Sequence, residues 1–266
     1  HGSHWPIVGS IGLTTLLVGV ASWLNGSSFG ELLMLAGVVV TLVMIFGWFG
    51  TVIKESQAGA YNAQVDLSFR WGMFWFIVSE VMFFAAFFGA LFYARQYSIP
   101  WLGGEGDGVM TNSVLWPGYE AAWPTSGPGE VGGEFSAMAA WGIPALNTAI
   151  LLTSGATITW AHHALKEDKR TQLALGLLAT VLLGFIFLGF QMYEYGHAYG
   201  DLNLKLTSGI YGSTFFMLTG FHGLHVTIGA IMLTVMLVRV LKGHFTPKNH
   251  FAFEAAAWYW HFVDVV

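Results

Sequence analysis

The sequence predicts an all-α, polytopic membrane protein, on three observations. Charged residues make up 9% of the 266 positions and hydrophobic residues 55%, whereas an ordinary soluble domain carries about 25% charge. The charges are clustered, so that windows such as 135–165 and 206–238 contain no Asp, Glu, Lys or Arg. These windows are too long for barrel strands, and lipid tolerates only helices or closed barrels because every backbone polar group must be paired.

Taking the charged residues as punctuation gives seven apolar stretches, near 6–24, 32–53, 71–93, 143–165, 172–195, 208–238 and 251–266. Each is near the roughly 20 residues that cross the hydrocarbon. The first has no basic flank and no clear small-residue cleavage site, and is read as a retained span rather than a signal peptide. The second lies between Glu31 and Lys54, and the third follows Arg70 and is interrupted only by Glu80. The fourth is charge-free, and the fifth runs from Arg170 to Glu194. The sixth exceeds one vertical span and is expected to tilt or to extend past the bilayer. The seventh is aromatic, with Trp258-Tyr259-Trp260, and carries Glu254, His261 and Asp264. The connection 94–142 holds Gly103-Gly104, Pro117-Gly118, Gly127-Pro128-Gly129 and five acids, and is expected to be an irregular outer loop. Its Trp101, Trp116, Trp123 and Trp141 suit an aromatic belt. With no internal repeat and no linker, residues 1–266 are read as one membrane domain.

Seven spans place Lys54, Arg70, Lys166, Lys169, Arg170, Arg239, Lys242 and Lys248 on the side of the N-terminus, eight of the ten basic residues. Basic loops stay inside, so the N-terminus is expected inside and the C-terminus outside. Ten basic against fifteen acidic residues argue against nucleic acid as a partner. The absence of cysteine removes disulfides, thiolate metal sites and cysteine nucleophiles. No phosphate loop, nucleophile elbow or H-E-x-x-H motif occurs.

Ionisable groups inside the membrane are candidate functional sites, because a charge there costs a few kcal/mol or more unless paired. Glu80 lies about 15 Å along its helix from the inner boundary, at about 1.5 Å per residue. It reads either as a proton-accepting carboxyl group or as a neutral acid bonded to a neighbouring helix. His222 and His225 share one helix face at i and i+3. Such a pair is able to ligate a metal or haem, while Gly220, Gly223 and Gly229 argue for close helix packing instead. Either histidine is a candidate partner for Glu80. Glu194 and His197, again i and i+3, are expected to form a buried polar pair, and His261 to be a buried polar partner in the last span. The adjacent His162 and His163 point about 100° apart and cannot serve one metal from one face.

Longer strings carry a family resemblance: Leu146-Asn147-Thr148 through Thr159-Trp160-Ala161-His162-His163, Tyr211-Gly212-Ser213-Thr214-Phe215-Phe216, Thr219-Gly220-Phe221-His222-Gly223-Leu224-His225-Val226, and Phe253-Glu254-Ala255-Ala256-Ala257-Trp258-Tyr259-Trp260-His261-Phe262-Val263-Asp264-Val265-Val266, with Ser79-Glu80-Val81-Met82-Phe83-Phe84 in the first half. The chain resembles the third core subunit of the haem–copper cytochrome c oxidases over essentially its whole length.

The resemblance implies seven helices in two bundles, the first two and the last five, around a V-shaped cleft filled with phospholipid. It implies a non-catalytic subunit, with no haem, copper or other metal in this chain. Those cofactors belong to the partner subunits, the catalytic subunit 1 and subunit 2, and cytochrome c donates electrons to the complex rather than to this chain. It further implies support of proton uptake and protection of the catalytic subunit. Glu80 matches the family's carbodiimide-reactive carboxyl group. Trp48, Phe49, Lys54, Glu55 and Arg70 are candidate lipid contacts, or else ordinary interfacial anchors. Departures from the family pattern are Asn62 and Gly89, where histidine and tryptophan are usual, and a longer outer loop at 101–138. The family also implies that the last helix continues past Val266. The expected setting is a bacterial inner membrane, with the mitochondrial inner membrane second. Rival readings are the third subunit of a quinol-oxidising oxidase, a membrane haem protein using His222, His225 and His163, and a stand-alone transporter.

Overall fold

Helix follows wherever the apolar windows predict it. The structure is a computed structural model that describes residues 2–266. Its α-helices are α1 (Trp5–Leu24), α2 (Phe29–Gln57), α3 (Ala63–Tyr93), α4 (Ile99–Leu102), α5 (Val109–Leu115), α6 (Ile143–Lys166), α7 (Arg170–Gly200), α8 (Gly209–Leu241) and α9 (Phe251–Val265). No strand occurs among the described residues.

Five segments among the described residues are long and apolar enough to cross a membrane: α1, α2, the rod Ala63–Leu102, α7 and α8. The expected fourth and seventh spans fall outside that set. Within α6, apolar residues are diluted by Asn147, Thr148, Thr153, Ser154, Thr157, Thr159, His162 and His163. α9 has only 15 residues.

Helix ends differ from the expected ones in one systematic way. Lys54, Glu55 and Arg70, expected in a loop over 54–70, lie on helix, because α2 runs to Gln57 and α3 starts at Ala63. Charge marks where hydrocarbon ends, while backbone hydrogen bonding continues into the headgroup layer. The connection 94–142 is also less irregular than expected. A π-helical turn, Ala94–Ser98, carries α3 into α4, and a 3₁₀ turn, Gly106–Gly108, precedes α5. The widened turn comes just before Pro100, whose ring would meet the carbonyl four residues back in a regular helix. Asn112 ties this segment together, donating to the carbonyls of Leu102, Trp116 and Tyr119 at 2.9, 3.2 and 3.1 Å.

The described residues divide into two compact units, one ending at Ser68 and the other Phe69–Val266. In the first, α1 and α2 form an antiparallel hairpin through Asn25-Gly26, with Gly26 at φ +80°. Its fully buried residues are Gly9, Gly12, Gly19, Gly30 and Gly37, while Leu17, Leu24 and Phe46 are 66%, 72% and 75% exposed. A soluble hairpin would bury the leucines; here small residues let backbones approach and the large side chains face outward, as lipid allows. Trp5 Nε1 donates to Thr51 Oγ1 at 3.1 Å and fixes the register.

In the second unit α6, α7, α8 and α9 pack in a closed ring of neighbours, α6 on α7, α7 on α8, α8 on α9 and α9 on α6. Trp260 sits fully buried at its centre, donating from Nε1 to Ser154 Oγ at 2.9 Å. Gly184 and Gly229 face its indole, where a β-carbon would come within 2.7 and 2.8 Å of ring atoms. Of the glycines expected to mediate close packing, Gly229 does so, whereas Gly220 and Gly223 have ordinary clearance. α3 lies against α8 and α9 through Phe83 on Phe221, Phe84 on Phe262 and Phe76 on Tyr259.

Candidate functional site

Glu80 projects from the middle of α3 toward α8, and His225 projects from α8 to meet it. Glu80 Oε2 and His225 Nε2 are 2.7 Å apart, with the side chains 21% and 10% exposed. The surrounding surface is aromatic: the His225 ring lies 4.9 Å from Phe84, 5.8 Å from Phe83, 6.2 Å from Phe262 and 6.4 Å from Tyr259, between centroids. His225 Nδ1 donates to the Phe221 carbonyl one turn back, at 2.6 Å. The polar pair is thus closed by its own helix and walled by rings from α3 and α9.

His222 points elsewhere. Its Nε2 donates to the Val263 carbonyl of α9 at 3.1 Å, and its ring stands edge-on to Phe187 at 5.6 Å. Although i and i+3 share a face, the two imidazoles are committed to different carbonyls on different helices. Among the described residues no group of three or more His, Asp or Glu side chains is arranged to hold a metal ion.

The Glu194–His197 pairing does not form. His197 is exposed and its Nδ1 is 2.6 Å from Asp201 Oδ2, while Glu194 is buried with Oε1 lacking a protein hydrogen-bond partner. On a helix, His197 and Asp201 are about 40° apart and Glu194 and His197 about 60°, so the nearer, exposed carboxylate takes the imidazole. His261 is half-buried rather than buried: Nε2 is 3.2 Å from Thr159 Oγ1, and Nδ1 is 3.9 Å from Asp264 Oδ2. Asp264 is the more buried partner, 9% exposed at its side chain.

The candidate lipid contacts fall in both units. In the hairpin unit, Trp48 and Phe49 are exposed, with rings stacked at 6.0 Å. Lys54 and Glu55 occupy the last turn of α2. Glu55 Oε2 accepts a hydrogen bond from Tyr61 at 2.7 Å. Burial, together with the Glu55 carboxylate, pushes the Tyr61 phenol up to about 12. In the second unit, Arg70 pairs with Glu254 at 2.7 Å and lies over the Phe251 ring at 5.1 Å. Near Glu80, Phe74, Ile77, Val78, Val81 and Met82 of α3 and Trp258 of α9 line an apolar groove of about 340 Å³.

Sequence reasoning missed Tyr61, and the aromatic wall of Phe84, Phe262 and Tyr259. Tyr61 stands six residues after Glu55 across a turn, a spacing with no helical rule. The aromatic wall draws on segments far apart in the chain, and no local signal marks it.

The chain matches the family described as Cytochrome c oxidase subunit III over residues 1–266. It is 44% identical, over 267 aligned residues, to a protein of Marchantia polymorpha named cytochrome c oxidase subunit 3, covering 99% of this chain and 89% of that relative. A Drosophila melanogaster protein of the same name is 42% identical over 267 residues, covering 99% of this chain and 90% of the relative. A Pongo pygmaeus protein of that name is 43% identical over 265 residues, with coverages of 99% and 90%. Whole-length matches of this kind take in the α3 carboxyl group and the α8 histidines, and by them the chain belongs to the cytochrome c oxidase subunit III family.

Proposed function

We propose that the chain is the non-catalytic third core subunit of an aerobic, proton-translocating cytochrome c oxidase. In this reading it associates with the catalytic subunit 1 and with subunit 2, which hold the haem and copper. The family match along the whole chain carries the subunit role. The absence of cysteine leaves no thiolate ligand in this chain.

The finer parts of the reading are ours. Seven spans with the N-terminus inside are supported by the eight-to-two division of basic residues; the two-bundle arrangement and the bacterial inner membrane rest on the family resemblance. Phospholipid contact at Trp48, Phe49, Lys54 and Glu55, and separately at Arg70, is supported by exposed rings next to charge at helix ends. The all-apolar groove on α3 suits an acyl chain. Glu80, the one acid midway along α3, is proposed as the carbodiimide-reactive carboxyl group that supports proton uptake by the complex.

Mild-detergent purification tests the subunit role. The other two core oxidase subunits and haem pigment are expected to co-purify, and the chain stripped of them is expected to show no haem absorbance. A stoichiometric haem spectrum retained by the isolated chain would overturn the proposal. Glu80→Gln is expected to assemble normally and to lose carbodiimide labelling, and unchanged labelling would move the reactive carboxyl group elsewhere.

A further inference from the structure

The hydrogen bonds around His225 determine how many protons its contact with Glu80 holds. The Phe221 carbonyl can only accept, so His225 Nδ1, 2.6 Å away, carries a proton. The opposite nitrogen, Nε2, faces Glu80 Oε2 at 2.7 Å. A bare carboxylate facing a bare nitrogen would set two lone pairs against each other. A protonated acid facing an imidazolium sets two hydrogens against each other if its proton is on Oε2, and with its proton on Oε1 it leaves a net positive charge in apolar surroundings, which is costly. At hydrogen-bond distance one proton therefore lies between them, and the pair is either neutral acid with neutral imidazole or carboxylate with imidazolium. Both forms have zero net charge, so shifting the proton across the contact brings no net charge into apolar surroundings.

The other titratable groups nearby leave that count intact. Tyr259 of α9 stacks against the His225 ring at 6.4 Å between centroids. His222 is the other imidazole on α8, and its Nε2 is committed to Val263. From α3 itself, Phe83 and Phe84 pack on the ring and offer no proton.

We infer that Glu80 and His225 act as one proton-holding unit, in which His225 is the positioning residue that fixes the carboxyl group and exchanges a single proton with it. This deepens the carboxyl reading given above and rests on it for biological meaning, while the proton count follows from the hydrogen-bond geometry and the cost of an uncompensated charge. Glu80 is then no static neutral acid: its proton has an acceptor already in place, in a tautomer selected by the Phe221 carbonyl.

The test uses the intact complex with Glu80→Gln introduced into three backgrounds: the parent, His225→Leu and His225→Gln. Subtracting each Glu80→Gln infrared spectrum from its background isolates the Glu80 carboxyl signature and its shift in heavy water. With His225→Leu the signature is expected to move to that of an unbonded neutral acid. With His225→Gln, which can hydrogen-bond but cannot take the proton, it is expected to become a bonded neutral acid that persists through the pH range over which the parent signature changes. His225→Gln keeps the test decisive should His225→Leu fail to assemble. An identical Glu80 signature and identical pH response in the parent and His225→Gln backgrounds would overturn the inference. Carbodiimide labelling independent of Glu80 would instead overturn the carboxyl reading, so the two failures are distinguishable.

Discussion

The two compact units place opposite kinds of residue in their interiors. The hairpin α1–α2 buries five glycines among its described residues and no ionisable group. The unit from Phe69 onward buries Asn147, Ser154, Thr180, Glu194, Ser208, His225 and Arg239 alongside large aromatics. In lipid, apolar side chains gain little by meeting one another, so helices associate through close packing and polar contacts. The hairpin relies chiefly on the first device, with the Trp5–Thr51 hydrogen bond added between its helices. The larger unit uses both, and the candidate chemistry is confined to it, where Glu80 and His225 meet across α3 and α8 and Ser154 and Trp260 across α6 and α9.

Breaking the keystone of the larger unit is expected to have the largest effect. Trp260→Ala removes a fully buried indole and leaves Ser154 without its donor. A loss on the order of 3–5 kcal/mol is expected, read as a large fall in the thermal midpoint of the purified complex or as failure of the subunit to assemble. Trp258→Ala, on a side chain only partly buried, is expected to cost much less.

The hairpin makes a matched comparison. A β-carbon at Gly37 runs into the Leu16 backbone, whereas one at Gly50 meets nothing within 4 Å. Gly37→Leu is therefore expected to destabilise the hairpin by about 1–3 kcal/mol, as overpacking does. Gly50→Leu is expected to stay within about 0.5 kcal/mol, as surface changes do. Protease susceptibility of the Asn25-Gly26 turn in the purified complex would report both. Equal effects at the two positions would mean that small residues do not set the α1–α2 approach.

What was legible in the sequence follows the same division. Each expected span coincides with helix because hydropathy is a local property, and Glu80 stood out because an isolated acid in an apolar run is costly. The partner of Glu80 was narrowed to His222 or His225 but not chosen, since a shared helix face leaves open which imidazole points at α3 and which at α9. The Glu194–His197 expectation failed because i,i+3 spacing is permissive, and Asp201 at i+4 from His197 was equally reachable and better solvated. Helix ends were misjudged at Lys54 and Arg70 because charge reports the edge of the hydrocarbon, not the end of the backbone ladder. The polar residues of α6 became intelligible only in the bundle, where Ser154 meets Trp260 and Thr157 meets Thr180 at 2.7 Å.

The smallest expected effect concerns an ionisable contact of the hairpin unit, Tyr61 on Glu55. The phenol is held up to about 12 by burial first and by the Glu55 carboxylate second, against about 10 for a free tyrosine. A raised phenol pKa means that the folded chain holds this proton more tightly than the unfolded chain does. Its contribution to stability is therefore fully present below about pH 10 and is lost as pH rises from there toward 12. Tyr61→Phe should remove one high-pH step from the ultraviolet phenolate titration of the complex, which assigns the step. Glu55→Gln removes the charge and leaves the burial, so the step should move only part of the way back toward 10. A shift all the way to 10 would assign the whole effect to Glu55, and no shift would mean that the carboxylate does not hold the phenol at all. Because Glu55 is also a proposed lipid contact, added phospholipid that draws the carboxylate away should move the Tyr61 step in the same direction as Glu55→Gln.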